Sequence, residues 1–208
     1  AKPLGVDVIH AADGILRIAT TAMSYAVKAV STERGLDAAA FSLIAYGGAG
    51  PLHASGIARE IGQQRLIVPR APGHFCAFGM LHSDLRYDYV KTWFTRLDDA
   101  PFAERAEIVS LRATVTGVMK KPPLEKIARG GKSPTQAAHR GKRKVYFPEL
   151  GKAVPTPTFA RDELRAGNRI DGPALIEEYA STTVVLPGDK LRVDEFGNLV
   201  IEVGKRKR

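Results

Sequence analysis

The sequence predicts an α/β half followed by a small β-rich half, sandwich- or barrel-like. Three observations carry this: helix and strand patterns alternate through residues 1–95, the chain changes character after Pro101, and short strand patterns separated by turn signals fill residues 144–203.

The elements follow in order. Ala12 to Arg34 reads as one amphipathic helix, with Ile15, Ile18, Ala22, Ala26, Ala29 and Val30 recurring at three- and four-residue steps. Asp13 is the expected N-cap, and Gly35 stands where a helix would stop. The apolar run Phe41–Tyr46 reads as a buried strand that breaks into Gly47-Gly48-Ala49-Gly50. Pro51 then suits the first turn of a second helix reaching Ile61. Arg65–Val68 is a second buried strand, ended by Pro69. Gly73–Ser83 reads as a short helix or turn with Phe75, Phe78, Met80 and Leu81 inward, and Leu85–Phe94 as a further strand.

Residues 96–143 are expected to be a connector, with one strand near 107–116 and a mobile basic loop over 119–142. Strands are then expected at Lys144–Phe147, Pro155–Phe159, Ala174–Glu178, Thr182–Leu186, Lys190–Val193 and Leu199–Val203. Pro187-Gly188-Asp189 and Glu195-Phe196-Gly197-Asn198 supply turns between them. Residues 204–208 form a basic tail.

The net charge of +9 is concentrated rather than spread. Nine Lys and Arg lie between Gly117 and Lys144 against the single acid Glu125, and Lys205–Arg208 adds four more. The remainder is close to neutral, which argues for solvated segments before a nucleic-acid surface. No apolar run is long enough for a membrane helix, so no membrane partner is expected. One cysteine, Cys76, excludes an intrachain disulfide and a Cys-based zinc site, and suits a cytoplasmic protein. Between Phe75 and Phe78 it reads as a small buried residue.

The chemistry-bearing segment is Tyr46-Gly47-Gly48-Ala49-Gly50-Pro51-Leu52-His53-Ala54. Glycines let a backbone approach a ligand where a Cβ would clash, and the helix that follows offers free N–H groups to an anion. Composition by itself favours a tight strand-to-helix turn. His53 could touch a phosphate or simply pack. Gly131-Lys132-Ser133 ends like a phosphate-binding loop, but Lys126 stands where its first glycine should be. His74 and His82 make no metal-like spacing with Cys76. Asp84 and Asp88 fall on one strand face without closing a site, and Glu177 and Glu178 read as surface or interdomain contacts. No catalytic residue and no metal ligand are assigned.

Several strings, in order, resemble the hydantoinase A/5-oxoprolinase family. AYGGAGPLHA is similar to its FGGAGPLHA-type signature, and Pro69–Leu81 to its VPxxPGxxSAxGxL stretch. Gly167–Tyr179 resembles GxxIxGPAIIEEY, and Ser181–Gly188 its STTVVPPG continuation. The resemblance implies an ATP-dependent enzyme that hydrolyses cyclic amides or carboxylates ketones, with ATP and Mg²⁺ as cofactors. Residues 1–95 would belong to an actin/sugar-kinase/Hsp70-like ATPase domain, and Gly47, Gly48, Ala49, Gly50 and His53 would contact the nucleotide. The family's acidic DxGGTxTD-like motif is not among these residues, and neither is its RYxGQ-like string between the counterparts of Ala106 and Glu107. The chain is therefore expected to be a C-terminal portion, inactive alone. Its expected partners are a B-type subunit or the N-terminal half and a small cyclic amide, with a homo-oligomer left open. The rival expectation is a non-catalytic basic interaction module using Lys142-Arg143-Lys144 and Lys205–Arg208.

Overall fold

A computed structural model of the chain describes residues 1–92 and 110–204. The tail Lys205–Arg208 and the first part of the strand expected near 107–116 lie outside the described residues.

By its contacts the chain forms two compact units, Ala1–Cys76 with Leu124–Arg208, and Ala77–Pro123. The first carries helices α1 (Val8–Ser31) and α2 (Gly50–Ile61), with α3 (Phe75–Leu81) beginning at its end. Its strands are β1 (Leu43–Ile44), β2 (Arg65–Val68), β5 (His139–Phe147), β6 (Lys152–Ala160), β7 (Arg169–Asp171), β8 (Ala174–Glu178), β9 (Ser181–Val185), β10 (Lys190–Val193) and β11 (Leu199–Glu202). The second unit holds β3 (Leu85–Thr92) and β4 (Ser110–Gly117), paired antiparallel.

Two sheets organise the larger unit. One runs in the order β1-β2-β11-β10-β7 and the other β5-β6-β8-β9. β1 and β2 are parallel and joined through α2, a βαβ unit, while β2 pairs antiparallel with β11 from Leu199↔Val68 to Glu202↔Arg65. The family of short C-terminal strands expected as a separate β domain is thus divided. β7, β10 and β11 extend the N-terminal sheet, and β5, β6, β8 and β9 make the second. One core joins both, with Leu66, Val68, Leu191, Leu199 and Ile201 from the first sheet beside Phe159, Ala174, Ile176 and Val185 from the second. Burying such side chains contributes about 1.5–3 kcal/mol each, which explains why pairing overrides the sequence boundary.

α1 starts earlier than expected. Asp7, not Asp13, caps it by accepting a hydrogen bond from the His10 amide at 2.8 Å, and this holds the Asp7 carboxyl below its usual range. Its buried side is also different. Ile15 and Ile18 are 69% and 73% exposed, and Ala22 and Ala26 are exposed too. α1 instead sets its Thr20 and Ser24 side against α2. Gly56 makes this approach possible, because a Cβ there would stand 3.3 Å from Thr20 Cγ2. The periodicity found the apolar stripe, yet a different stripe docks.

Part of the segment expected as a mobile loop is tied down. Ile127 N–H donates to Glu195 O, Gly130 N–H to Ala166 O and Arg169 N–H to Lys132 O. The buried Asn168 amide donates to Gly131 O at 2.7 Å and Ser133 O at 3.2 Å. In α3, Phe78, Met80 and Leu81 are exposed rather than inward, and Phe75 is half-buried.

Candidate functional site

The run Phe41–Tyr46, expected as a buried strand, forms only the two-residue β1, half-buried at Leu43 and exposed at Ile44, and the glycine turn follows where this strand stops and a helix starts. Ala45, buried, closes the sheet by donating to Ile67 O at 2.9 Å. Tyr46 leans on Phe75, with ring centroids 5.4 Å apart. Gly47 takes φ +83°, a left-handed conformation that costs a side-chain-bearing residue about 1–2 kcal/mol, and donates to Pro72 O at 2.8 Å. Gly48 faces the carbonyl of Ala180, in the β8–β9 turn, which a Cβ would approach to 3.1 Å. Ala49 then caps α2 without a side-chain hydrogen bond, Gly50 opens the helix and Pro51 follows.

The three glycines are not equivalent. The fold itself explains Gly47 through its backbone angle and Gly48 through Ala180. Gly50 has neither reason: its φ is ordinary, and a Cβ would meet only Ala45 C at 3.9 Å. A helix start has amides with no acceptor inside the helix and a positive dipole end, so this stretch can receive an anionic group. Gly48, Ala49 and Gly50 are exposed or half-buried, so the turn is reachable from solvent. His53, in the first turn of α2, is half-buried and its side chain makes no hydrogen bond among the described residues.

A second arm fixes α2. The half-buried Arg59 donates to Asp189 Oδ1 at 2.6 Å, Glu149 Oε1 at 2.9 Å and the Pro187 carbonyl at 2.8 Å. Ser55 Oγ donates to Val184 O at 3.2 Å. Both contacts reach across the sequence to the β9–β10 region, so the C-terminal strands position the helix that follows the glycine turn. Neither contact was read from the sequence, since nothing local marks Arg59 as buried.

Other singled-out residues take plainer roles. Asp84 accepts from Met119 N–H and pairs with Lys121 at 3.3 Å, while Asp88 accepts from Thr114 Oγ1 and pairs with Arg86. These bonds hold both carboxyls below their usual range. Cys76 is exposed, not buried, because after the half-buried Phe75 the side chains of α3 from Cys76 to Leu81 are exposed. Glu177 pairs with Arg143 at 2.8 Å. Arg140, Lys142, Arg143 and Lys144 are exposed along β5, an edge strand, where charge discourages pairing with another chain. Glu178 is half-buried at the end of β8, and burial pushes its carboxyl up. It lines a cavity that also contains Arg161, a residue the sequence did not single out.

The residues present do not fit Mg²⁺. Ala45–His53 supply no carboxylate, and no group of three or more His, Cys, Asp or Glu among the described residues could hold a metal. Among the described residues no helix is long and apolar enough to cross a membrane.

Comparison with known proteins adds the remaining facts. Residues 1–89 match the family model described as hydantoinase/oxoprolinase, and residues 100–202 the model of its C-terminal domain. The chain is 26% identical to caprolactamase subunit alpha of Pseudomonas jessenii, over 93% of this chain and 40% of that protein. It is 28% identical to acetophenone carboxylase gamma subunit of Aromatoleum aromaticum, over 97% of this chain and 39% of that one. A solved nucleotide-free acetone carboxylase, from work on ATP-dependent acetone carboxylation, superposes with TM-score 0.80 at 21% identity, over 98% of this chain and 41% of that one. The chain therefore spans about two-fifths of the length of these relatives. The matches to the first two run over 276 and 291 positions, more than the 208 residues here, so those relatives carry extra residues within the matched span.

Proposed function

The chain belongs to the hydantoinase/oxoprolinase family, and from that premise we propose that it is the C-terminal portion of an ATP-dependent enzyme that opens cyclic amides. In this reading the turn at Gly47, Gly48, Ala49 and Gly50, with His53 beside it, contacts ATP, and the parallel β1-α2-β2 unit belongs to an actin/sugar-kinase/Hsp70-like ATPase fold. ATP, with Mg²⁺ supplied elsewhere, would activate the amide carbonyl. This chain's share is to hold and orient the nucleotide, not to carry out the chemistry.

The observation that carries the reading is Gly50. Neither its backbone angle nor its neighbours require glycine, and it stands at the start of α2, where free amides and the helix dipole favour a phosphate. In a βαβ unit, a ligand beyond the first strand's carboxyl end meets this helix start. The relatives support the substrate class, since a caprolactamase acts on a cyclic amide and the Pseudomonas jessenii protein is its alpha subunit.

The rest of the site would come from a partner, either the N-terminal half or a B-type subunit. The exposed apolar side of α1, with Val8 at 74%, Ile15 at 69% and Ile18 at 73%, supports such a surface. The test is calorimetry with a non-hydrolysable ATP analogue. Saturable binding by the chain, lost in Gly50→Val while the thermal midpoint holds, supports the reading. Equal binding by both proteins refutes it.

A further inference from the structure

A cavity of about 620 Å³ lies beside the β8–β9 turn, within the larger unit. Arg70, His74, Arg161, Arg165, Glu178 and Tyr179 are among its walls. Its volume is that of a small-molecule site. Its lining carries both signs of charge, with Arg70, Arg161 and Arg165 beside Asp162, Glu163 and Glu178.

Arg161 is the most telling wall residue. It is 7% exposed, and its Nη2 donates to the carbonyls of Gly197 at 2.7 Å and of Val68 and Pro69 at 3.3 Å. Those three bonds fix the guanidinium, yet Nη1 is buried with no hydrogen-bond partner. Glu178 mirrors it: Oε1 is buried and has no hydrogen-bond partner. A buried donor and a buried acceptor thus share one cavity without meeting. Charged groups left this way are costly, and buried polar groups are normally satisfied. Burial lowers the Arg161 guanidinium to about 10 and raises the Glu178 carboxyl, so the mutual attraction of the two charges does not offset the loss of water. His74 and Tyr179 stack at 6.4 Å with 13° between their planes, giving a flat wall on which an uncharged linker could lie.

We propose that this cavity binds a small zwitterion of the amino-acid type. Its carboxylate is held by Arg70 and Arg161, its ammonium by Glu178, and its methylene chain lies against His74 and Tyr179. The proposal stands apart from the nucleotide turn, because it concerns other residues and needs no ATP. One link does rest on the family reading. Adding water across a ring amide breaks the C–N bond and leaves a carboxylate and an ammonium on one molecule, so the cavity would suit the opened ring.

The test is calorimetry on the full chain without nucleotide, using 6-aminohexanoate and glutamate against hexanoate and butylamine. The expected result is saturable binding of at least one zwitterion, at least about tenfold tighter than either single-charge probe. Glu178→Gln and Arg70→Met should each weaken it by about tenfold or more, with far-ultraviolet circular dichroism unchanged. Arg161 also ties three carbonyls, so Arg161→Met would disturb the fold as well and is not the deciding variant. No saturable binding of either zwitterion overturns the proposal. So do equal affinity for hexanoate, and binding that survives both Glu178→Gln and Arg70→Met. An ATP analogue that fails to bind the same sample bears on the nucleotide turn alone and leaves this proposal standing.

Discussion

Replacing Arg59 by Met should destabilise the chain far more than any surface change. Arg59 reaches from α2 to the turn between β9 and β10, and its side chain is 8% exposed while that of Asp189 is 0% exposed. Without the guanidinium, Asp189 Oδ1 keeps only the Gly204 amide at 2.8 Å, and Oδ2 already has no partner. Breaking a buried pair from one side costs about 3–5 kcal/mol. The more exposed Glu149 contact adds about 0–1 kcal/mol. For a chain of this size each kcal/mol moves the midpoint by about 2–4 °C, so the expected fall is roughly 6–20 °C. Thermal unfolding followed by circular dichroism reads it directly. Glu149→Gln serves as the control and should move the midpoint by about 4 °C at most. A fall under about 3 °C for Arg59→Met would refute the idea that this arm positions α2.

Three further outcomes are expected. Ile201→Ala, fully buried on β11 opposite Leu66 of β2, should cost about 2–5 kcal/mol in denaturant unfolding, and a small loss would mean the two ends of the chain do not share a core. Ala180→Gly should raise stability by about 1 kcal/mol, because Ala180 holds φ +61° in the β8–β9 turn; a lower midpoint would contradict that backbone. Glu178 has a folded-state pKa above its ordinary 4.5, so the folded chain binds more protons than the unfolded one as pH rises from that value. Stability should therefore fall with pH through that window, and Glu178→Gln should flatten the slope; an unchanged slope in pH-dependent urea midpoints would exclude Glu178 as its source.

The sequence made local elements legible because their signals are local. Arg65–Val68, Ala174–Glu178 and Lys190–Val193 are strands as read, and α2 ends at Ile61 as read. The glycine turn was legible for the same reason, since a strand, a glycine cluster and Pro51 are adjacent in sequence. What escaped is set by long-range packing. β7 is too short to announce itself, and only its pairing with β10, from Lys190↔Asp171 to Arg192↔Arg169, makes it a strand. The docking face of α1 depends on Gly56 of another helix, which no periodicity within α1 can report. Arg161 and Asn168 are polar residues outside the expected strands, yet both are buried because they satisfy carbonyls distant in sequence, Arg161 that of Gly197 and Asn168 those of Gly131 and Ser133. The same holds for the partition of the C-terminal strands between two sheets.

If the glycine turn receives a nucleotide, adding an ATP analogue to ¹⁵N-labelled chain should shift the amide resonances of that turn. The largest changes should fall on Gly47, Gly48, Ala49, Gly50, Leu52 and His53, and Gly50→Val should abolish them while the rest of the spectrum holds. Saturable changes confined to Arg140–Lys144, with the turn silent, would contradict the claim and favour a basic interaction module instead.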